Sequence, residues 1–492
     1  MNKAKVVIIP EFDLYTPVGN SASTESFLFS PPKYDDCLIK YSASEYGNDD
    51  IDEAVSDIFY HFPVIVLPDG VIWKEANRYL LSLLTPNPAD NPSADHLNST
   101  ADSLMFFINF CYDEGINWLK CSRKVNSPPR KYRRDLDSKV ENGVLAKSTV
   151  KKQMRHIVSF YKYLIKTEGV EFSYPLWVDR KSKRPIVGKD SEIVRWKDHM
   201  SSDIQYVKGS NNKHTTEEAG LEGHIVDGGY LRPLTVKEQK QLGEALKCLG
   251  NVEMKFIHLI GMMTGARKET LLTLRRGNFE YEPAEHEKHV VIYAGNWTKN
   301  YLSKLSGNHK YLPNSKNEKP LKIYFPVALY RKIQIYIRSE RGLKRLKKAK
   351  FPFEDNAQQY VFLSQQGNPF YVSKLDINRG KYRRRPTGGA LNVFISSQLK
   401  PKLRILGFIS HYKFHDTRAT YGMNLTRHLI ETKKTSNGQV DFTGVFSLVK
   451  KRMGHSQFST TQQYLDFDNN QGIVEAANDT YAKHLSDLLE SA

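Results

Sequence analysis

The sequence predicts a mainly α-helical chain with a small β-sheet, an α+β protein of more than one domain, and three observations lead there. Apolar residues recur at helical spacing between Ala101 and Ile165, between Glu253 and Met263 and between Val445 and Met453. Two short apolar runs, Val290 to Ala294 and Leu321 to Phe325, read instead as strands joined by a long polar loop. At 492 residues the chain is long for one compact unit, so two or three are expected.

Residues 1–95 read as a separate acidic unit of unassigned role, with extended apolar segments at Val6 to Ile9 and Phe62 to Leu67 and a turn at Pro68-Asp69-Gly70. Residues 96–184 read as a helical domain. Leu104, Phe107, Ile108 and Cys111 share one helix face there, and Ile157, Phe160, Tyr161 and Leu164 share another. Residues 185–230, rich in Gly, Asn, Ser, Lys and Asp, read as a linker or insertion. A further domain, residues 231–470, opens at Leu231-Arg232-Pro233-Leu234-Thr235, with Thr235 a helix cap and Glu238 at the capping-box position. Gly265 is expected to turn out of the Glu253 to Met263 helix, and the next helix to start beside Arg267 and bury Leu271, Leu272 and Leu274. Residues 471–492 form an amphipathic pattern, a helix with little of its own domain left to cover.

Charge narrows the class of partner. The chain carries a net charge of +18, and the first hundred residues hold six Lys/Arg against fifteen Asp/Glu, so the basic excess lies beyond them. Between Lys120 and Arg155 there are twelve Lys/Arg and three Asp/Glu, a density suited to a phosphate backbone. Double-stranded DNA is the expected partner of the basic part, and protein that of the acidic part. No apolar run is long enough to span a bilayer, and the start shows no leader pattern, so a cytoplasmic, nucleoid-associated protein without membrane contact is expected. The four cysteines form no CxxC pair, which gives no support to a zinc site or a disulfide framework. Neither metal nor cofactor is expected.

Three motifs carry the chemistry: Thr264-Gly265-Ala266-Arg267, His415-Asp416-Thr417-Arg418, and Gly454-His455-Ser456 with Tyr464 nine residues after the histidine. Attack of an oxygen on a phosphodiester builds charge on the non-bridging oxygens, and bidentate, always-charged arginines stabilise it best. A tyrosine hydroxyl, with an ordinary pKa of about 10, needs a proton acceptor before it attacks, and histidine can serve. The departing alkoxide needs a proton in turn, which a lysine can supply. The loop between the two predicted strands is rich in lysine.

In these motifs the region from Leu231 to Asp468 resembles the catalytic domain of the tyrosine recombinases, the phage-integrase family, and the helical unit before it resembles that family's core-DNA-binding domain. The resemblance implies a C-shaped clamp on DNA in which Tyr464 attacks the scissile phosphate to form a 3'-phosphotyrosyl link. It implies that Arg267 and Arg418 hold the non-bridging oxygens, that His415 accepts the proton, and that His455 hydrogen-bonds the phosphate. Lys316 fits the family's general acid by its place before the second strand, with Lys319 and Lys299 as alternatives. Glu269 stands one place before the position where the family has an acidic residue, and Thr270 occupies that position. The family's use of a C-terminal helix between protomers implies a homo-tetramer on DNA, a Holliday junction intermediate, and a possible accessory or directionality protein. A type IB topoisomerase-like nicking and rejoining enzyme uses the same residues, and a DNA-binding relative without catalysis is the third reading.

Overall fold

The computed structural model describes residues 3–16, 55–84, 91–187, 194–204, 224–227, 229–297, 311–408, 411–432, 441–455 and 459–467. The chain divides into two compact units, Met1–Lys213 with Ile377–Arg384, and His214–Asp376 with Arg385–Ala492. The fold is mainly helical, with four separate two-stranded antiparallel sheets among the described residues.

In the first unit, β1 (Lys5–Thr16) and β2 (Val55–Val66) pair antiparallel, from Lys5 opposite Val66 to Thr16 opposite Val55. The two apolar segments expected to be extended lie in these strands, except Leu67, which follows the end of β2. Four helices follow: α1 (Lys74–Ser82), α2 (Ala94–Asp113), α3 (Pro128–Glu141) and α4 (Lys147–Lys166). Buried Asn77 of α1 closes the edge of β2, accepting from the Ile65 amide at 2.8 Å and donating to the Ile65 carbonyl at 2.9 Å. Phe62, Ile65 and Trp73 share one apolar core with Leu104, Phe107 and Phe160. The expected boundary near residue 95 therefore falls inside a single core. The shift in charge does not mark a boundary, because β2 and α1 carry apolar faces that need α2 and α4 to cover them.

The eight apolar residues expected on two helix faces are all buried, four on α2 and four on α4. Of the twelve basic residues, Arg130 pairs with Asp203, Arg133 with Asp137 and Lys139 with Asp135. Lys147, Lys151, Lys152 and Arg155 stay exposed along the first half of α4. Part of the stretch expected to be a linker is a hairpin instead, β3 (Asp179–Val187) against β4 (Val194–Ser202), after which Ile204 enters the core. Its alternating Lys and Arg hide the strand pattern that Ile186, Val187, Val194 and Trp196 supply.

The second unit begins with a short hairpin, β5 (Ile225–Val226) and β6 (Tyr230–Leu231), also within the expected linker. Then α5 (Val236–Cys248) starts at a complete capping box: the Thr235 hydroxyl accepts from the Glu238 amide at 3.3 Å, and the Glu238 carboxylate accepts from the Thr235 amide at 2.9 Å. Next come α6 (Val252–Thr264) and the single-turn α7 (Lys268–Leu272), with Leu271, Leu272 and Leu274 buried as the pattern required. Strands β7 (His289–Ala294) and β8 (Leu321–Pro326) pair antiparallel with Val290 opposite Phe325. Helices α8 (Val327–Arg338) and α9 (Glu340–Lys347) follow; α10 (Gly389–Phe394) runs through a π turn into α11 (Lys400–Ile405); and α12 (Asp416–Thr432) and α13 (Phe442–Met453) precede a final helical segment at 459–467. No helix among the described residues is long and apolar enough to cross a membrane.

Helix α6 crosses α12 closely because both present small residues: a Cβ on Gly261 would lie 2.7 Å from the Thr417 hydroxyl. At the centre of this packing His258 is fully buried among Phe394, Tyr412 and Phe414. Its Nδ1 bonds the Met254 carbonyl at 2.6 Å, and burial pushes its pKa down to about 4. Unfolded, the imidazole titrates near 6.5, so between those values the unfolded chain binds the extra proton and stability falls as pH falls. The full effect is about 3 kcal/mol per histidine of this kind. Denaturant unfolding at pH 7 and pH 5 should show His258→Phe losing about 2 kcal/mol less than wild type across that step; equal losses would assign the acid sensitivity elsewhere.

Candidate functional site

Two of the three motifs are built around the same local device. Gly265 ends α6 and Gly454 ends α13, each in the left-handed conformation, with φ of 66° and 62°. A residue with Cβ resists that conformation, so glycine terminates each helix and turns the chain sharply. Arg267 and His455 lie just past these turns. Arg418, in the first turn of α12, bridges them: its Nη1 donates to the Gly265 carbonyl and its Nη2 to the Met453 carbonyl, both at 2.6 Å. A guanidinium is well suited there, because carbonyls at helix C-termini carry the negative end of the helix dipole. Arg418 is buried, and its planar fork is held on two sides before any ligand arrives.

The third nitrogen of that fork, Nε, is 2.7 Å from Oδ2 of Asp227, in the turn between β5 and β6. The same carboxylate gathers the rest of the site. His455 Nε2 lies 3.1 Å from Oδ2, the Tyr464 hydroxyl lies 3.5 Å from Oδ2, and Arg267 Nη2 lies 3.4 Å from Oδ1. The His455 ring is fixed from its other side, where Nδ1 bonds the Thr461 hydroxyl at 2.9 Å, and it stacks on the Tyr464 ring with centroids 5.6 Å apart. With Nε2 facing a carboxylate, the network assigns the proton to Nε2 and makes Nδ1 the acceptor. Tyr464 has no exposed surface, and α12 makes room for its ring at Gly422, where a Cβ would come within 2.3 Å of it.

Electrostatics follow from this crowding. Burial alone would raise the Asp227 carboxyl, but the hydrogen bond from His455 and the charges of Arg418, His455 and Arg267 hold it well below the usual carboxylate range. Burial lowers Arg267 and His455, with Asp227 opposing it in both. The Tyr464 hydroxyl is pushed up, first by burial and then by the Asp227 charge. His415 sits one residue before α12, not on it, and its backbone carbonyl accepts from the Arg418 amide at 3.0 Å. Burial, then the charges of Lys268, Arg418 and Arg267, push its imidazole down to about 4, so it is neutral at pH 7. A buried ion pair of this sort gains little net stability while both partners are present, and loses about 3–5 kcal/mol when one is removed.

Arg267, Arg418, His455 and Tyr464 thus converge on one anion, and His415 lies within their field. Lys316 does not join them. It opens a 3₁₀ turn, Lys316–Glu318, with its side chain exposed and no hydrogen bond or ion pair to those five residues. Lys319, at the end of that turn, is also exposed. Lys299, Ser456 and the expected tail helix at 471–492 lie outside the described residues. No group of three or more His, Cys, Asp or Glu residues that could hold a metal occurs among the described residues.

Sequence reasoning missed Asp227 and Lys268. The run Ile225-Val226-Asp227-Gly228-Gly229-Tyr230-Leu231 carries a hairpin signal, Asp-Gly-Gly between apolar pairs, that could have found the strands. Nothing local says that the turn docks on residues about 40 to 237 positions away. Lys268 adjoins Arg267 in sequence, and burial lowers its pKa.

No protein-family model matches the chain, and no curated protein matches it in sequence. Solved structures do. The chain is similar to the XerH site-specific recombinase bound to its difH substrate in a pre-cleavage complex, at 12% identity and a TM-score of 0.40, over 82% of this chain and 88% of that one. It is similar to the Tn1549 transposon integrase in complex with circular intermediate DNA, at 12% identity and a TM-score of 0.39, over 80% and 94%. With the same integrase on transposon right-end DNA the values are 14% and 0.39, over 82% and 99%.

Proposed function

We propose that the chain is a tyrosine recombinase, a site-specific enzyme that cuts and rejoins DNA strands through a covalent tyrosyl intermediate. The observation that carries this reading is the convergence of two arginines, a histidine and a tyrosine hydroxyl on a single anion-sized position. A scissile phosphate set where the Asp227 carboxylate sits would meet Arg418 and Arg267 as charged donors and His455 Nε2 as a third. The Tyr464 oxygen attacks phosphorus, its proton passing to neutral His415. The bond to the 5'-oxygen breaks, that oxygen takes a proton from Lys316, and a 3'-phosphotyrosyl bond is left. Rejoining is the same sequence reversed, with a 5'-hydroxyl as nucleophile. The bond energy is kept in the tyrosyl ester, so no nucleotide is consumed.

The exposed basic face of α4, Lys147, Lys151, Lys152 and Arg155, suits the DNA backbone. Four such chains, linked through residues 471–492, would pass through a Holliday junction in integrating or excising a mobile element. The test uses the wild-type chain and sheared DNA from the organism that encodes it: adducts that survive denaturation are captured, and the joined 3' ends are sequenced. A single short target sequence is expected. Adducts spread over unrelated sequences, with relaxation of any supercoiled plasmid, would favour the topoisomerase-like reading, and no adduct would leave a DNA-binding protein.

A further inference from the structure

The pocket that this reading assigns to the scissile phosphate already holds an anion of the chain's own. We propose that the β5–β6 hairpin is an internal plug, with the Asp227 carboxylate standing in for a DNA phosphate in the free protein and leaving when DNA enters. The inference rests on the recombinase reading for the identity of the displacing ligand, and on the geometry for everything else.

Four observations carry it. The carboxylate takes the donors that a phosphate would need: Arg418 Nε at 2.7 Å, His455 Nε2 at 3.1 Å and Arg267 Nη2 at 3.4 Å. Two anions cannot share that space, since Asp227 is ionised under all ordinary conditions and would repel a phosphate at contact distance. The nucleophile is also covered: Tyr464 has no exposed surface, and its hydroxyl is aimed at the carboxylate. Burial, and after it the carboxylate, make the hydroxyl harder to ionise, the opposite of what attack requires. Asp227 as proton acceptor for Tyr464 is the competing reading, and a carboxylate held so far below its usual range is too weak a base for that role.

The hairpin is built to be released. Its ladder has two residues per strand. It is tied to the nucleophile's own helix: Gln463 Oε1 accepts from the Val226 amide at 2.6 Å, and Ile225 is buried in the apolar cluster that contains Tyr464 and Met453. Its downstream end is fixed to α12, where the Arg232 amide donates to Asp416 at 3.1 Å and the Leu234 amide to Thr420 at 2.9 Å. A short arm fixed to α12 downstream and held at its tip by charge can swing out once the Gln463 bond is released, and carry the cover from Tyr464 with it.

A ligand that must wait for an open pocket binds more weakly by the fraction of molecules that are open. If about one chain in ten is open, removing the plug raises affinity about tenfold. The test is calorimetric titration of the full chain with inorganic phosphate. Asp227→Asn, which keeps shape and removes charge, should bind phosphate at least tenfold more tightly than wild type, and adding Arg267→Ala should cancel the gain. Gln463→Ala keeps the carboxylate but loosens the arm, and should give a smaller gain in the same direction. A folded Asp227→Asn protein that binds phosphate no better than wild type overturns the plug. If Asp227→Asn does not fold, unchanged affinity in Gln463→Ala overturns it. Phosphate binding needs no strand cleavage, so a gain without any DNA adduct from wild type would keep the plug and sink the recombinase reading, and adducts without a gain would do the reverse.

Discussion

Replacing Tyr464 by phenylalanine is expected to abolish the covalent protein–DNA adduct while leaving DNA binding within about twofold of wild type. The substitution deletes one oxygen, the only protein atom that the proposed reaction bonds to phosphorus. The ring keeps its stack on His455 and its seat against Gly422. What is lost structurally is a contact of 3.5 Å to Asp227, at the long edge of hydrogen-bond geometry. Stability should therefore shift by no more than about 1 kcal/mol. That separation makes the result interpretable, because loss of adduct cannot then be blamed on unfolding. The measurement pairs a denaturing gel on nicked duplexes, from which the cleaved strand cannot be rejoined, with a binding titration at fixed salt. An adduct that persists at wild-type yield would move the nucleophile to another of the 27 tyrosines.

The site was legible in the sequence to the extent that its parts are local. Arg267 and His455 each follow a glycine that ends a helix, and that turn is written in a few consecutive residues. Tyr464 and Thr461 share the short helical segment 459–467, so the distance from His455 to Tyr464 sets how the ring stacks on the imidazole. What the sequence could not give is the anchoring. Arg418 is held by carbonyls 153 and 35 residues away, and Asp227 reaches its partners across as many as 237. Long-range pairing leaves no periodic trace, and the polar composition around Asp227 pointed to a linker.

The fold divides in the same way. Helices α2, α4, α6 and α13 and strands β7 and β8 carry clean apolar periodicity and were expected near where they occur. Helix α8 has the same signal in Leu329, Tyr330, Ile333 and Ile337, all buried, and could have been read from it. The joint core of β2, α1 and the helical bundle is hidden in the sequence because the charge changes sign within the stretch that builds it. Charge reports the surface, and the core under it is contributed by residues that carry none.

The second large effect concerns the lysine. Lys316→Ala is expected to slow cleavage of an ordinary phosphodiester by about 10²–10⁴-fold, the usual worth of a positioned general acid. The root of this lysine is fixed although its side chain is exposed. Two residues earlier, buried Asn314 donates its backbone amide to the Thr273 hydroxyl at 2.9 Å, and its side-chain amide donates to Glu269 at 3.0 Å. Glu269 lies in the first turn of α7 and Thr273 caps its end, so the short helix that starts beside Arg267 anchors the lysine loop. The loop is also pinned to the end of β7, where the Gly295 amide donates to the Pro313 carbonyl and the Asn296 amide to the Glu318 carbonyl, both at 2.8 Å. A flexible stem on a fixed root can reach a ligand that the free protein lacks. Lys319 shares the same turn and is the direct competitor. Replacing the bridging 5'-oxygen by sulfur separates chemistry from placement, because a thiol, with a pKa of about 8.5, leaves without a donated proton. On that substrate Lys316→Ala should cleave within about tenfold of wild type, whereas Arg418→Ala, which removes charge stabilisation, should stay slow. If the sulfur substrate rescues Lys319→Ala or Lys299→Ala and not Lys316→Ala, the general acid is the rescued residue, and the loop presents a different lysine to the leaving strand.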